Sequence, residues 1–384
     1  MATSRLSCVR KCRNPPVEAQ YSAVRLPASQ NLPTFTTDKR KNCRRPLLLN
    51  PTRIIPMKLL ASLLLLIAVC ACTPSRQYRV TEGHTHTYYR ITYNYDRTLD
   101  DEIRGEIRRF YHSLNPFDSL SIVSAVNTNR NMEVDSIFIH AFRVAEEVSR
   151  QTDGMFDITC APLINAWGFG FKNMGEVTPA MIDSMKTFVG YEKVRLEGNR
   201  VVKDDPRLLL NFSAVGDGCI CDLIAARLDS LGVEDYLVDI GGEMTAKGRN
   251  AKGLPWHIGI NRPVDDSTQL NTDIEQVIEL GERVGLATSG DYRNFYIKDG
   301  KKYAHTINPK TGYPAGGDIL SATIIARDCI VADAYATACM ALGREGAKAL
   351  QARHPELEYF FIYADSTGAY RTEYSPGMEK YLVK

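Results

Sequence analysis

From Trp256 to Arg327 the chain reads as one short strand after another, with no helical period between them. The segments WHIGIN, QVIELGE, RVGLATSG, RNFYIKDGKKYAHTIN and ILSATIIAR are rich in β-branched and aromatic residues. Gly, Pro, Asn and Asp separate them, and Asp299-Gly300 predicts a hairpin turn. Helical patterns lie elsewhere and never alternate regularly with strands. The sequence therefore predicts an α+β fold, a single domain with a large, mostly antiparallel sheet flanked by helices.

Around that strand-rich block the periods are legible. YRVTEGHTHTYYRITYN alternates as two strands, and TLDDEIRGEIRRFYHSL reads as a helix with acidic residues in its first turn. In EVDSIFIHAFRVAEEVSRQTDG, residues Ile137, Ala141, Val144, Ala145 and Val148 share one helical face. A short helix is expected near Pro179 to Phe188, a hairpin at KVRLEGNRVV, and a strand over RLLLNFSAVG leading into a helix that ends at Leu231-Gly232. DYLVDIGGE reads as a strand closed by a glycine pair. Two helices are expected over Val331 to Leu342 and Glu345 to Arg353, then a final hairpin in YFFIYADSTGAYRTEY.

The net charge of +2 over 384 residues hides an asymmetry. Residues 1 to 56 carry eleven Lys and Arg against Glu18 and Asp38. Met57 and Lys58 then precede the apolar run Leu59 to Val69, the layout of a secretory signal and too short to span a bilayer comfortably. Val69-Cys70-Ala71-Cys72 resembles a bacterial lipoprotein box with Cys72 as the lipidated residue. The expected organisation is a dispensable extension over 1–56, a signal peptide over 57–71, a tether over 72–77 and the functional domain over 78–384. From Cys72 onward the balance is −8, which argues against nucleic acid as a partner. Cys160, Cys219, Cys221, Cys329 and Cys339 lie in apolar segments and read as small core residues.

Several segments could carry chemistry. HTINPKTGYP packs His305, Asn308, Lys310 and Thr311 around a turn that Pro309 and Gly312 favour, so His305 ends a strand beside a loop. In DCIVADAYATACMALG, Asp333 and Thr337 are four apart and share a helical face. A lone pair of this kind usually faces water; here the apolar, alanine-rich surroundings predict burial, and a buried carboxylate wants a cation. Hard oxygen donors suit Mg²⁺ or Ca²⁺. Gly216 and Gly218 pass from strand to helix in SAVGDG and would bare backbone groups to a ligand. Phe156, Trp167 and Phe169 stand near Asp157 and Thr159 and could hold a flat ring, although aromatic residues more often fill cores. His84 and His86 share a strand face, but a third ligand is lacking nearby, so they read as structural or exposed.

Taken in order, FDIT…WGFG, SAVGDG, DIGGE, ATSGDYRNFY, HTINPKTGYP and DAYATACMALG resemble the ApbE-type FAD:protein FMN transferases over nearly all of 72–384. The resemblance implies Mg²⁺-dependent transfer of FMN from FAD to a Thr or Ser hydroxyl of a target flavoprotein, with AMP released. Alternatives of the same scaffold are a hydrolase giving FMN and AMP, and a lipid-anchored FAD-binding protein without turnover. Implied FAD contacts are Met155, Phe156, Asp157, Asn211, Asp217 and Ile307. Implied metal ligands are the Ala214 carbonyl, Asp333 and Thr337, for Mg²⁺ with Ca²⁺ or Mn²⁺ as substitutes; His305 and Asp333 are the implied catalytic residues. Targets of the family carry an Asp-x-x-Ser/Thr-Gly-Ala-Thr type of sequence. The implied location is the bacterial cell membrane, anchored through lipidated Cys72 and facing the periplasm. Asn211, Asp217 and Asn308 depart from the usual family residues, Asp, Lys or Glu, and Asp respectively.

Overall fold

The structure, a computed structural model, describes residues 76–169, 177–263, 273–290, 295–298 and 301–384. The expected extension, signal peptide and Cys72, and the Asp299-Gly300 turn, lie outside the described residues.

Eight strands form one sheet: β1 (Tyr78–His84), β2 (Tyr88–Asn94), β5 (Tyr236–Ile240), β6 (Glu243–Lys247), β9 (Val284–Gly290), β12 (Ile319–Ala326), β13 (Glu358–Ala364) and β14 (Tyr370–Tyr374). They lie side by side in that order, and every pairing is antiparallel. Two-stranded ribbons are formed by β3 (Val194–Glu197) with β4 (Arg200–Lys203), β7 (Trp256–Asn261) with β8 (Ile274–Leu280), and β10 (Phe295–Lys298) with β11 (Lys301–Ala304).

Both faces of the sheet are buried, which is why ILSATIIA and EYFFIYA are nearly continuous apolar runs. Alternation divides them: Ile324 and Phe361 join the core on one face, Ile325, Phe360 and Ile362 the core on the other. The first face is covered by α1 (Asp100–Leu114), α2 (Ile122–Asn127), α3 (Ser136–Gln151), α6 (Gly216–Ser230) and α7 (Cys329–Arg353). The second is covered by the β7–β8 ribbon, whose Trp256, Ile258, Ile260, Ile278 and Leu280 point inward. The five expected core cysteines are buried and free; Cys219 and Cys221 are both covered because α6 is buried on more than one face.

Of two local details, the first agrees with expectation and the second does not. The two helices expected at the C-terminal end are present, written here as the two halves of α7 on either side of Gly343, where φ is 71° and ψ is 172°. RLLLNFSAVG forms no strand. Its backbone is paired instead by a side chain: Asn127 Nδ2 donates to Leu210 O at 2.8 Å and Leu210 N donates to Asn127 Oδ1 at 2.7 Å. Asn211 N donates to Ile158 O at 2.8 Å. One amide side chain thus supplies the donor and acceptor a neighbouring strand would have offered.

A third, small core joins α4 (Ala161–Ala166), α5 (Pro179–Lys186) and the turn after β11 through Leu163, Trp167, Ile182, Phe188 and Ile307. This cluster seats HTINPKTGYP on the body of the domain. Among the described residues no helix is long and apolar enough to cross a membrane.

Candidate active site

A cavity of about 700 Å³ opens where these elements converge. Asp333, Thr337 and Ala341 of α7 form one wall, and Thr288, Ser289 and Gly290 at the end of β9 continue it. Asn211, Ser213 and Ala214, just before α6, stand beside them. Met155 to Ile158 and His305 to Ile307 with Pro309 close the remaining sides, and Phe117, 58% exposed, stands at the rim.

Asp333 is only 7% exposed. Gly218 N donates to its Oδ2 at 3.2 Å, and among the described residues no Lys, Arg or His pairs with it. Burial pushes its carboxyl well above the ordinary range, and the nearby charges of Asp217 and Asp222 push the same way. Thr337, one turn on, has its Oγ1 3.3 Å from Ser289 Oγ. No group of three or more His, Cys, Asp or Glu side chains converges on a metal site among the described residues, so a cation here needs hydroxyl and carbonyl oxygens too. The residues fit a hard divalent ion: a buried carboxylate without a cation shares its wall with a hydroxyl and the Ala214 backbone.

The loop at 155–160 is held by Asp157. Its Oδ1 accepts from Thr159 N and Thr159 Oγ1, both at 2.7 Å, and its Oδ2 accepts from Tyr191 N at 2.9 Å. Thr159 Oγ1 also accepts from Gly190 N at 2.8 Å. Burial raises the Asp157 carboxyl to about 6 despite these donors. Asp157 lines the cavity, yet its hydrogen bonds belong to the scaffold.

The turn at 305–314 is built the same way. Asn308 Oδ1 accepts from Lys310 N at 3.0 Å and Thr311 N at 3.1 Å, while Gly312 N donates to Asn308 O at 2.8 Å. Gly312 has φ 78°, and a Cβ there would lie 2.4 Å from Ile182 Cγ2. Trp167 Nε1 donates to Gly312 O at 2.8 Å, so this indole clamps the turn and does not line the cavity. His305, at the cavity wall, meets Phe169 edge-on with centroids 6.4 Å apart.

Of the sequence-predicted residues, Met155, Phe156, Asp157, Asn211, Ala214, His305, Ile307, Asp333 and Thr337 all line this one cavity. Asp217 does not; a Cβ at Gly241 would lie 3.1 Å from its Oδ2, and burial raises its carboxyl to about 6. Gly218 is not bared to a ligand as its motif suggested. It permits contact between α6 and α7, since a Cβ there would sit 2.6 Å from Cys329 O. His84 and His86 are exposed, and His86 stacks on Phe117 with centroids 5.1 Å apart. Sequence reasoning did not single out Phe117, Ser213, Glu243, Thr288 or Ser289. Glu243, Thr288 and Ser289 sit in the motifs DIGGE and ATSGDYRNFY, whose presence was the available signal.

The family model described as the ApbE family matches residues 85–361. An FAD:protein FMN transferase of Vibrio cholerae is 34% identical over 297 residues, 74% of this chain and 87% of the relative. The FAD:protein FMN transferase of Escherichia coli K12 is 30% identical over 82% of this chain and 92% of its own length. Among solved structures, the flavin transferase ApbE from Vibrio cholerae superposes with a TM-score of 0.72 at 29% identity, over 80% of this chain and all of that one. The apo form of the Pseudomonas stutzeri flavinyl transferase ApbE gives 0.71 at 28%, over 79% and 96%. With its motifs gathered on one cavity and its matches running through most of its length, the chain belongs to the ApbE family.

Proposed function

We propose that this chain transfers FMN from FAD to a Ser or Thr hydroxyl of a target protein and releases AMP. The observation that carries this reading is the one cavity that His305 lines together with the oxygen donors Asp333, Thr337 and Ala214. Its volume lies within the range of pockets that enclose cofactor-sized ligands. Asp333, Thr337 and the Ala214 carbonyl would hold Mg²⁺, which when bound neutralises charge on a pyrophosphate. The target hydroxyl oxygen forms a bond to the FMN-side phosphorus as the pyrophosphate P–O bond breaks, and AMP leaves. His305 accepts the hydroxyl proton. Met155, Phe156 and Ile307 bury the apolar parts of the ligand, and Asn211 offers its amide.

The test is an AMP-release assay with FAD and Mg²⁺, with and without a Ser/Thr target. AMP released only with target, together with flavin fixed on the target, supports transfer. AMP without target means hydrolysis, and binding without AMP means storage. In the same assay His305→Ala is expected to slow transfer more than it weakens FAD binding.

We also propose that Cys72 is lipidated and holds the domain on the outer face of the cell membrane, from the signal-like run Leu59 to Val69 and Ala71. Radiolabelled palmitate should mark the wild type and not Cys72→Ala. Equal labelling of both would remove the anchor from this reading.

A further inference from the structure

The carboxylate of Asp222, on α6, accepts hydrogen bonds from the first two residues of another helix. Cys329 N donates to Oδ1 at 3.1 Å and Ile330 N donates to Oδ2 at 2.9 Å. Thr245 Oγ1 donates to Oδ1 at 3.1 Å from β6. Cys329 and Ile330 open α7, whose first N–H groups have no partner within the helix. The residue at the N-cap position, Asp328, makes no side-chain cap bond; its Oδ1 pairs with Arg283 Nη1 at 3.0 Å. The cap of α7 therefore comes from α6.

One turn before Asp222, Gly218 N reaches Asp333 Oδ2, and a Cβ at Gly218 would meet Cys329 O at 2.6 Å and Asp333 Cβ at 2.9 Å. Gly218 and Asp222 share a face of α6, and Cys329 and Asp333 share a face of α7. Two points on each helix, four residues apart, are thereby locked together. Ala214 sits immediately before α6, whereas Asp333 and Thr337 ride on α7, and all three line the same cavity.

We infer that Asp222 is a positioning residue: by capping α7 from α6 it fixes where the Asp333 and Thr337 oxygens stand relative to the Ala214 carbonyl. This rests on the cation site proposed above. Outer-shell groups that orient ligands commonly change metal affinity by about 10–100-fold when altered.

The test uses Mn²⁺ as probe, with free Mn²⁺ followed by EPR on the whole chain in the absence of FAD. If the wild type binds no Mn²⁺, the cation site itself falls, and this inference with it. If it binds, Asp222→Asn should weaken binding about tenfold while the near-ultraviolet circular dichroism stays native. Asp328→Asn removes a neighbouring charge and loosens Arg283, which also lies 3.9 Å from Asp222 Oδ1, but leaves the Cys329 and Ile330 bonds in place and should stay within about twofold. Thr245→Val changes no charge and loosens the carboxylate, so it should weaken Mn²⁺ severalfold; it carries the test if Asp222→Asn does not fold. Wild-type affinity in the folded Asp222→Asn or Thr245→Val chain overturns the inference. So does equal weakening by Asp328→Asn, which would reduce the effect to net charge.

Discussion

Asp333 is held in place against its own desolvation, and a neutral side chain there relieves that cost while removing the site's carboxylate donor. Asp333→Ala forfeits the Gly218 hydrogen bond, a loss of about 1 kcal/mol, and sheds a buried polar carboxyl group with its desolvation cost, which offsets it. The apo chain is therefore expected to melt at or above the wild-type temperature, while AMP release disappears at every Mg²⁺ concentration. Normal turnover at low Mg²⁺ would strip Asp333 of its assigned role. Asn308 illustrates a different economy. From sequence, its departure from the family's Asp put any carboxylate role in question, and the structure gives the position a task that an amide performs. Its Oδ1 only accepts, from Lys310 N and Thr311 N. Asn308→Asp should keep stability within about 0.5 kcal/mol, whereas Asn308→Ala leaves two turn N–H groups without their acceptor and should cost about 1–2 kcal/mol. Urea denaturation of the pair distinguishes them.

Elements with a strong local period were legible in the sequence; those fixed by distant partners were not. The face shared by Asp333 and Thr337 follows from a spacing of four on a helix, and the sheet strands follow from alternation and turn residues. Gly343 marked the break in α7 because glycine alone adopts φ 71° without strain. By contrast, the 207–211 segment looks like a strand in isolation, and what pairs its backbone is Asn127, more than eighty residues away. Ser289 reaches the site because β9 lies against α7, a contact no local pattern encodes. The glycines of SAVGDG were visible as glycines, but their purpose depends on α7. Gly218→Ala should therefore cost more than helix propensity would return, about 1–3 kcal/mol from overpacking, because the atom it meets first is the Cys329 carbonyl oxygen. Gly105→Ala in α1 meets nothing nearer than the tip of Arg108, 3.9 Å away, and should stabilise by about 0.5–1 kcal/mol. Opposite shifts of thermal midpoint are the expected pair; a stabilised Gly218→Ala would mean that α6 and α7 do not pack as closely as described.

Across the whole domain, a set of desolvated carboxylates gives a pH dependence opposite to that of an ordinary salt-bridged protein. Asp157, Asp217 and Asp239 are each raised from 3.8 to about 6, chiefly by burial. Below 3.8 these groups are protonated in both folded and unfolded chains and contribute nothing. Between 3.8 and about 6 the folded chain retains protons that the unfolded chain has released, so stability falls as pH rises, and above about 6 that loss is complete. Exposed pairs work the other way. Arg207 lowers Asp205 to about 2, a stabilisation present above 3.8 and lost as pH falls toward 2, but exposure to solvent makes it small. From these groups the maximum should thus lie at about pH 4, below the range in which the desolvated carboxylates ionise. Asp333→Ala is the suitable background, since it removes the titration of the site carboxylate, and a chelator removes stray cations. In that chain the melting temperature should fall between about pH 4 and about pH 6 and level off beyond. Adding Asp157→Asn should make the slope shallower, even if the lost Tyr191 hydrogen bond lowers the whole curve. A melting temperature that stays flat or rises through this window would show that these carboxylates ionise at least as readily in the fold as in the unfolded chain, and that their surroundings are wetter than their packing implies.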